Sequence, residues 1–236
     1  MLPSSPKKKL VVLTGAGISA ESGIKTFRDS DGLWEEYDEV AHINGWRKHP
    51  ELVLEFYNKR RHQIKAAHPN KAHEGLADLQ TDWDVQIITQ NIDDLHERAG
   101  SKQVMHLHGE ILKMRSEINP QHIEPATHDI ILGQLAEDGA QLRPHIVWFG
   151  EEVPMIPFAI QLVEQADVLV IIGTSLQVYP AASLIEYAQP NIPIIVIDKH
   201  IPANESLSVS EAIEQPATIG VEMLKEKLKY YLISVR

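Results

Sequence analysis

The chain has 236 residues, of which 43% are hydrophobic, and its formal net charge is -11. This length and apolar content suit one large domain with room for a smaller insertion. The acidic balance argues against general nucleic-acid binding, which needs a cationic surface, and the absence of cysteine excludes disulfides, thiolate catalysis and cysteine-based metal sites. No apolar run reaches the roughly 20 residues of a membrane span, and the first residues lack a secretory apolar stretch, so we expect a cytoplasmic protein without membrane contact.

Five short apolar runs, rich in β-branched residues, predict strands of a sheet that is buried on both faces. Helical patterns lie between or after them, and this alternation predicts an α/β fold with a doubly wound parallel sheet. The strand-like runs are LVVLTGAG (10–17), VQIITQNID (85–93), HIVWFGE (145–151), DVLVIIGTS (167–175) and IPIIVID (192–198). The helix-like stretches are PELVLEFYNKRRHQIKAA (50–67), NKAHEGLADLQ (70–80), MIPFAIQLVEQA (155–166) and GVEMLKEKLKYYL (220–232).

Two segments depart from the alternation: residues 36–67 look mainly helical, and residues 111–144 are polar and weakly patterned. We interpret them as two insertions that build a small second domain. The predicted sheet domain therefore comprises residues 1–35, 68–110 and 145–236. Ligands of such sheets bind at the carboxyl ends of the strands, so the residues that follow each run are the candidates for a site.

The first run ends in GAGISA, which fits the G-x-G-x-x-A pattern of dinucleotide sites. Gly15 and Gly17 would let backbone amides approach a phosphate, and a helix beginning at Ser19 or Ala20 would attract the anion. A tight strand-to-helix turn explains the same residues equally well. The acidic partner of a ribose is better sought at Asp198, which ends a predicted strand, than in the pair at 35–36, which does not.

A basic cluster, FYNKRRHQI, stands out in this acidic chain. If the segment is helical, Tyr57 and Arg60 share a face because they are three residues apart, whereas Arg61 leans to one side. Taken alone, the cluster is explained by a solvated charged face.

Polar side chains also follow the second strand. Gln90, Asn91 and Asp93 offer amide groups and a carboxylate for a ligand, although helix capping would account for one of them. His108, in HLHGE, is a candidate base because histidine titrates near neutral pH. Histidine is nevertheless frequent in this chain, so composition alone does not single out His108.

The motifs GAGISAESGIKTFR, TQNIDDLHERAG, LHGE, RPHIVWFGE and GTSLQVYPAASL occur in the order and register of the sirtuins, the NAD-dependent protein-lysine deacylases. The chain resembles that family throughout, apart from residues 111–142. The resemblance implies a Rossmann-like domain with NAD as cosubstrate, and His108 as the catalytic base. It implies that these residues bind NAD: Gly15, Ala16, Gly17, Ile18, Ser19, Phe27, Arg28, Trp34, Gln90, Asn91, Ile92, Asp93, Gly173, Thr174, Ser175, Asp198, Lys199, His200 and Ala217.

The family reaction gives these assignments a chemical meaning. An acyl-lysine oxygen attacks the sugar carbon as nicotinamide leaves, and Phe27 would form an apolar lid that excludes water. His108 then removes a proton through the ribose hydroxyls, and the products are free lysine, nicotinamide and O-acyl-ADP-ribose. The family commonly has asparagine where Asp198 stands, so we expect an altered affinity for the adenosine ribose.

The resemblance also implies contacts with an acyl-lysine peptide or protein substrate. The segment Val147, Trp148, Phe149 and Gly150 would pair with the extended peptide backbone. A Tyr-x-x-Arg pair, here Tyr57 and Arg60, marks the sirtuins that prefer succinyl- and malonyl-lysine, since an arginine can bind the distal carboxylate bidentately. We still interpret Arg61 as a solvated residue.

The sequence departs from the family at its structural zinc site. Most sirtuins hold zinc with four cysteines between LHGE and RPHIVWFG, and this interval has none; Ser116 stands about where the first ligand is expected. His122, Glu124, His128 and Asp129 lack the paired spacing of a structural site. We therefore predict no zinc and no other metal, and a polar loop with a short helix over HDIILGQLAEDG (128–139).

Two other functions stay open on the sequence. The same sugar chemistry with another acceptor would make the protein an ADP-ribosyltransferase or an NAD glycohydrolase. A sensor that binds NAD or ADP-ribose without turnover is the third possibility, although the retention of His108, Asn91 and Asp93 argues against it.

Overall fold

The computed structural model describes residues 6–25, 39–201 and 209–233. Its strands and helices agree closely with the apolar runs and helical patterns of the sequence. The strands are β1 (Lys9–Thr14), β2 (Asp84–Thr89), β3 (Val104–His106), β4 (Gly109–Ser116), β5 (Ile123–Pro125), β6 (Leu142–Ile146), β7 (Val168–Ile172), β8 (Ile194–Asp198) and β9 (Glu211–Glu214). The helices are α1 (Ile43–Lys48), α2 (Pro50–Ala66), α3 (Lys71–Asp78), α4 (Leu95–Arg98), α5 (Ile156–Glu164) and α6 (Ala217–Ile233).

Six parallel strands form the main sheet in the order β3-β2-β1-β7-β8-β9. The chain moves outward from β1 in one direction and then, starting with β7, in the other, so the strand order reverses between β1 and β7. This confirms the predicted doubly wound α/β fold. It also fixes the place where such folds bind ligands, which is the crevice at the carboxyl ends of β1 and β7.

The side chains of β1 show why its sequence is apolar throughout. Leu10 and Val12 belong to the core that includes residues of α3 and α6, and Val11 and Leu13 belong to the opposite core with residues of α5. All four are at most 1% exposed. Because successive side chains of a strand point to opposite faces, a strand that is covered on both sides needs a continuous apolar run.

A second sheet is antiparallel and small, with the order β5-β4-β6. Its core combines side chains from residues 40–64 with side chains from 111–148, among them Trp46, Ile64, Ile111 and Trp148. Residues of both predicted insertions therefore pack together. The exact domain limits stay a prediction.

Two local predictions in this region are wrong. HIVWFGE was expected in the parallel sheet, but β6 ends at Ile146 and pairs antiparallel with β4. Ile146 and Trp148 of this run are buried because the small sheet has a core of its own. The short helix over 128–139 does not form. Gly133 and Gly139 have positive φ angles, of 86° and 81°, and produce turns instead. No helix in the described part of the chain is long and apolar enough to span a membrane.

Candidate active site

The loops after β1, β2 and β7 meet at the point where the strand order reverses. Gly15 N donates to Ile172 O at 3.0 Å, Gly17 N donates to Gly173 O at 2.9 Å, and Gln90 N donates to Thr14 O at 2.9 Å. A Cβ atom on Gly17 would lie 2.6 Å from the Cα atom of Gly173, so this approach requires glycine.

These contacts use the amides of Gly15 and Gly17 in packing against the end of β7. The part of the two glycines in NAD binding stays a prediction. The predicted helix after the loop is absent from the residues described up to 25. Two short 3₁₀ turns, Ala16–Ile18 and Ala20–Ser22, take its place, and Ile18 is buried in the core.

A buried hydrogen-bond network joins the first loop to the second. Asn91 Nδ2 donates to Gly15 O at 3.1 Å and to Ser19 Oγ at 3.2 Å. Ser19 Oγ in turn donates to Asp93 Oδ2 at 3.0 Å. Ser19, Asn91 and Asp93 are all buried. The candidate residues that the sequence placed in two separate motifs therefore form one polar cluster.

Asp93 has both a capping and a network role. Its Oδ1 atom accepts from Leu95 N at 3.1 Å, at the start of α4, while Oδ2 accepts from Ser19. Burial raises the pKa of Asp93, although its hydrogen bonds with Leu95 and Ser19 oppose the shift. Ile92 contributes differently, because its carbonyl accepts from Ile111 N at 2.9 Å and so connects the loop to β4.

His108 lies next to this cluster, and its tautomer follows from its contact. Nδ1 is 2.9 Å from Gln90 O, and since a carbonyl can only accept, Nδ1 carries the proton. In the neutral ring Nε2 therefore has the lone pair, and no described residue hydrogen-bonds it. Burial lowers the pKa of His108, and the bond to Gln90 opposes this. The neutral ring is thus a proton acceptor at neutral pH.

The adenosine side of the predicted site is formed by the ends of β7 and β8. Gln90 Nε2 donates to Thr174 Oγ1 at 3.0 Å, which links the second loop to Gly173–Ser175. Asp198 Oδ1 accepts from His200 N at 3.0 Å, and Lys199 and His200 are exposed. Ala217 begins α6 and is buried. Three further NAD candidates lie outside the described residues, namely Phe27, Arg28 and Trp34.

The polar cluster fits a dinucleotide on chemical grounds. Amide, hydroxyl and carboxylate groups of Gln90, Asn91, Asp93 and Thr174 gather at the strand-order reversal, where this type of sheet binds dinucleotides. Such groups are suited to ribose hydroxyls and to a carboxamide, which both donate and accept hydrogen bonds.

The sequence reasoning missed two buried histidines beneath the loop. The rings of His73 and His96 are 4.9 Å apart, and His96 Nε2 lies 3.1 Å from Thr14 Oγ1. His73 Nε2 is 3.5 Å from Ser19 Oγ. Burial lowers the pKa of His73 to about 4. His96 stands within the TQNIDDLHERAG motif and could have been found there. His73 is an isolated histidine in an amphipathic helix, which gives no signal in the sequence.

The segment 147–150 is only partly available to a substrate. Trp148 is buried and stacks on Trp46, with ring centroids 5.3 Å apart, so its side chain supports the small domain and does not line a peptide site. Phe149 is exposed, but its N–H donates to Ala41 O and its carbonyl accepts from Ile43 N. We expected the backbone of Phe149 to pair with a substrate, and it pairs with residues 41–43 of this chain.

An ion pair between Arg143 and Glu151 supports the segment 147–150. Arg143 donates to both carboxylate oxygens of Glu151, at 2.7 and 2.8 Å, and its guanidinium lies 3.6 Å from the Trp148 ring centroid. Glu151 also accepts from Trp148 N at 2.8 Å. Val147 N donates to His108 O at 2.9 Å, so this segment is directly connected to the candidate base.

Helix α2 carries the Tyr-x-x-Arg pair. Tyr57 is buried, with its ring 6.0 Å from that of Trp148, and Arg60 is half-buried with NH2 donating to Lys25 O at 2.8 Å. The interpretation of Arg61 as a solvated residue is wrong. It is 1% exposed, and its Nε donates to Ile111 O at 2.9 Å because the helix face toward β4 is the buried one.

Ser116, at the expected position of a zinc ligand, is buried and forms hydrogen bonds. Its Oγ atom donates to Asp138 Oδ2 at 2.6 Å and accepts from the amides of Ile118 and Asn119, both at 3.2 Å. Within residues 6–25, 39–201 and 209–233, no group of three histidine, aspartate or glutamate side chains has the geometry of a metal site. The expectation that the chain binds no zinc stays a prediction.

Comparisons with known proteins agree with the fold. The family model described as "Sir2 family" matches residues 15–180. Proteins named NAD-dependent protein deacylase are similar over most of their length. The one from Helicobacter pylori (strain J99) is 60% identical over 223 residues, covering 94% of this chain and 95% of that protein. The one from Bacteroides thetaiotaomicron is 50% identical over 230 residues, covering 94% and 98%.

A solved structure described as a Sir2 homolog–NAD complex has a TM-score of 0.84 and 38% identity, and the match covers 96% of this chain and 91% of that one. The match confirms the Rossmann-like α/β fold. The sequence motifs, the sheet topology and the family model all lead to one assignment. The chain belongs to the Sir2 family, the sirtuins.

Proposed function

We propose that this protein is an NAD-dependent protein-lysine deacylase. The observation that carries the proposal is the meeting of Ser19, Asn91 and Asp93 in one buried cluster beside His108, at the carboxyl ends of β1 and β2. Bacterial relatives at 50–60% identity are named NAD-dependent protein deacylase. The reaction would consume NAD and acyl-lysine and yield free lysine, nicotinamide and O-acyl-ADP-ribose.

The residues of this chain would divide the work as follows. NAD supplies an activated sugar carbon that is ready to lose nicotinamide. Gln90, Asn91 and Asp93 would hold the ribose and carboxamide by hydrogen bonds, and the burial of Asn91 and Asp93 would help to exclude competing water. His108 is held by Gln90 O with its Nε2 lone pair available, and it takes the proton as general base.

We further propose that the preferred acyl groups end in a carboxylate, as in succinyl- and malonyl-lysine. Tyr57 and Arg60 lie on one face of α2, and the ring of Tyr57 reaches the Trp148 that anchors the predicted peptide segment. Arg60 NH2 donates to Lys25 O at 2.8 Å, which places the guanidinium beside Lys25. A guanidinium suits a distal carboxylate because its planar fork of donors can form a bidentate bond.

Incubation of the purified protein with NAD and acetyl-, malonyl- or succinyl-lysine peptides tests the function. Deacylated peptide with one O-acyl-ADP-ribose per nicotinamide supports the deacylase. ADP-ribosylated protein, or free ADP-ribose without deacylated peptide, would instead identify a transferase or glycohydrolase. Tight NAD binding without nicotinamide release would identify a sensor. We propose the cytoplasm as the place of action, on the absence of cysteine.

A further inference from the structure

His106, at the end of β3, contacts two acceptors at once. Its Nδ1 atom is 3.0 Å from Asn91 O, and its Nε2 atom is 2.8 Å from Glu97 Oε1. The side chain of His106 is 7% exposed and that of Glu97 is 40% exposed. One ring therefore connects the backbone of the loop after β2 to the side chain of helix α4.

The two histidines of HLHGE hold consecutive carbonyls of that loop. His108 binds Gln90 O and His106 binds Asn91 O, each through Nδ1. The two histidines differ at Nε2. In His106 this nitrogen contacts Glu97, whereas in His108 no described residue hydrogen-bonds it. Of these two histidines, only His108 can thus serve as a proton acceptor, whereas His106 is paired with Glu97.

From this geometry we propose that His106 and Glu97 are positioning residues for NAD, which fix the backbone of Gln90–Asp93 so that Asn91 faces its ligand. The inference rests on the proposed function, because it assigns the pair to NAD binding by the same loop. The proposal depends on the position of Asn91, since its side chain also bridges Gly15 O and Ser19 Oγ. A displaced Asn91 carbonyl would disturb the whole buried cluster.

The contacts determine the charge of the ring. A backbone carbonyl and an ionised carboxylate only accept hydrogen bonds, so both nitrogens of His106 must carry protons for both contacts to exist. The charged groups that face the ring are Glu97, Glu110 and Asp93, with the buried His96 nearby and Lys113 close to Glu97. Burial opposes the charge on His106, but Glu97 outweighs it and raises the pKa above the ordinary 6.5.

A pH dependence follows, with a definite sign. Below its raised pKa, His106 is charged and holds both partners. Above it, one nitrogen loses its proton and a lone pair then faces either Asn91 O or Glu97, so the loop loosens. The KM for NAD is therefore expected to be constant at pH values below this raised pKa and to rise as the pH increases through it. Because the pKa of His108 is shifted the opposite way, its titration affects kcat on the acid side.

Three variants test the pair. His106→Leu removes both contacts at similar size, and we expect the KM for NAD to rise about tenfold, the effect of losing one charge-assisted hydrogen bond. His106→Asn keeps a donor near the position of Nδ1 and should restore most of the affinity for NAD. Glu97→Gln lets a neutral ring donate to Asn91 O and accept from the amide, so its KM should no longer change with pH.

His62→Leu is the matched control. His62 pairs with Asp129 at the same 2.8 Å, but that pair is exposed on α2 and away from the loop. This variant should have the KM for NAD of the unmodified protein. NAD binding by calorimetry provides a second readout, which does not depend on turnover, and thermal unfolding identifies variants that fail to fold.

The outcomes separate the two proposals. If the unmodified protein deacylates no peptide with NAD, the proposed function fails. If it does so but His106→Leu keeps the original KM and Kd for NAD, only the positioning role is overturned. Should His106→Leu not fold, Glu97→Gln decides, since a pH profile of KM identical to that of the unmodified protein contradicts the role of the pair.

Discussion

Ser116 Oγ donates a hydrogen bond of 2.6 Å to Asp138 Oδ2 and thereby joins the end of β4 to the turn before β6. The same oxygen accepts from the amides of Ile118 and Asn119. These bonds lie in the interval where the family resemblance implies a structural zinc, and they connect its two ends without cysteine. We infer that hydrogen bonds hold this part of the small domain together.

Replacing Ser116 with alanine should therefore destabilise the protein by about 1 kcal/mol, since Asp138 and the amides of Ile118 and Asn119 lose a hydrogen-bond partner. Urea unfolding followed by circular dichroism measures the change. A chelator such as EDTA should leave the unfolding midpoint of the unmodified protein in place. A marked fall of that midpoint with EDTA, reversed by zinc, would contradict the prediction of a metal-free domain.

His108→Phe should reduce deacylation by at least about 100-fold, as expected for the loss of a general base. Binding of NAD should remain measurable by calorimetry, because the substitution removes one hydrogen bond to Gln90 O and leaves the Ser19–Asn91–Asp93 cluster in place. Turnover equal to that of the unmodified protein would exclude His108 from the reaction.

The pH profile of kcat provides a separate check on the same residue. Burial lowers the pKa of His108 below 6.5, so the neutral, proton-accepting form persists at neutral pH. We expect kcat to be flat near pH 7 and to fall only as the pH drops below 6.5. An inflection in the pH profile of kcat above pH 7 would show that a different group controls the rate.

Arg60→Met should lower kcat/KM for succinyl peptides at least about tenfold, because the distal carboxylate loses a charge-assisted hydrogen bond. Acetyl peptides lack that carboxylate and should be much less affected. Lys59→Met is the matched control, since Lys59 is an exposed cation on the same helix, paired with Glu55. An equal loss on both peptides would show that Arg60 supports the structure and does not select the acyl group.

The buried His73 predicts a loss of stability in acid. The unfolded chain takes up a proton at this residue below about 6.5, whereas the native protein does so only near 4. Stability from His73 is therefore fully present above 6.5 and is lost between these values, by about 3 kcal/mol. In His73→Asn, whose oxygen can still accept from Asn70 N, the slope of unfolding free energy against pH should be smaller. Other buried histidines whose pKa is lowered, such as His96 and His108, contribute to the remaining slope. Identical slopes in the variant and the unmodified protein would contradict the role of His73.

Much of the fold could be predicted from the sequence, because each central strand has its own signature. Strands such as β1 need a continuous apolar run when both faces are covered, and the helices α2, α3, α5 and α6 were all expected near their observed positions. HIVWFGE was wrongly assigned to the parallel sheet because an apolar run indicates burial but does not show which of the cores buries it. The buried Arg61 was missed for a related reason, since its partner Ile111 O is a backbone atom about 50 residues away and has no signal in the sequence.

The residues of the candidate site were assigned from five motifs that resemble one family, and their roles stay predictions. Charge and spacing alone could not have shown that Asn91 bridges Gly15 O and Ser19 Oγ, since these atoms belong to separate loops. Packing also changed the interpretation of individual residues. The glycines of GAGISA are needed for contact with Gly173, and the side chain of Trp148 lies in a core.

The pairing of Phe149 with residues 41–43 has a consequence for how an extended peptide could bind. The bonds with Ala41 O and Ile43 N use the backbone N–H and the carbonyl of Phe149. A peptide that adds to segment 147–150 would therefore have to bind through backbone groups other than those of Phe149.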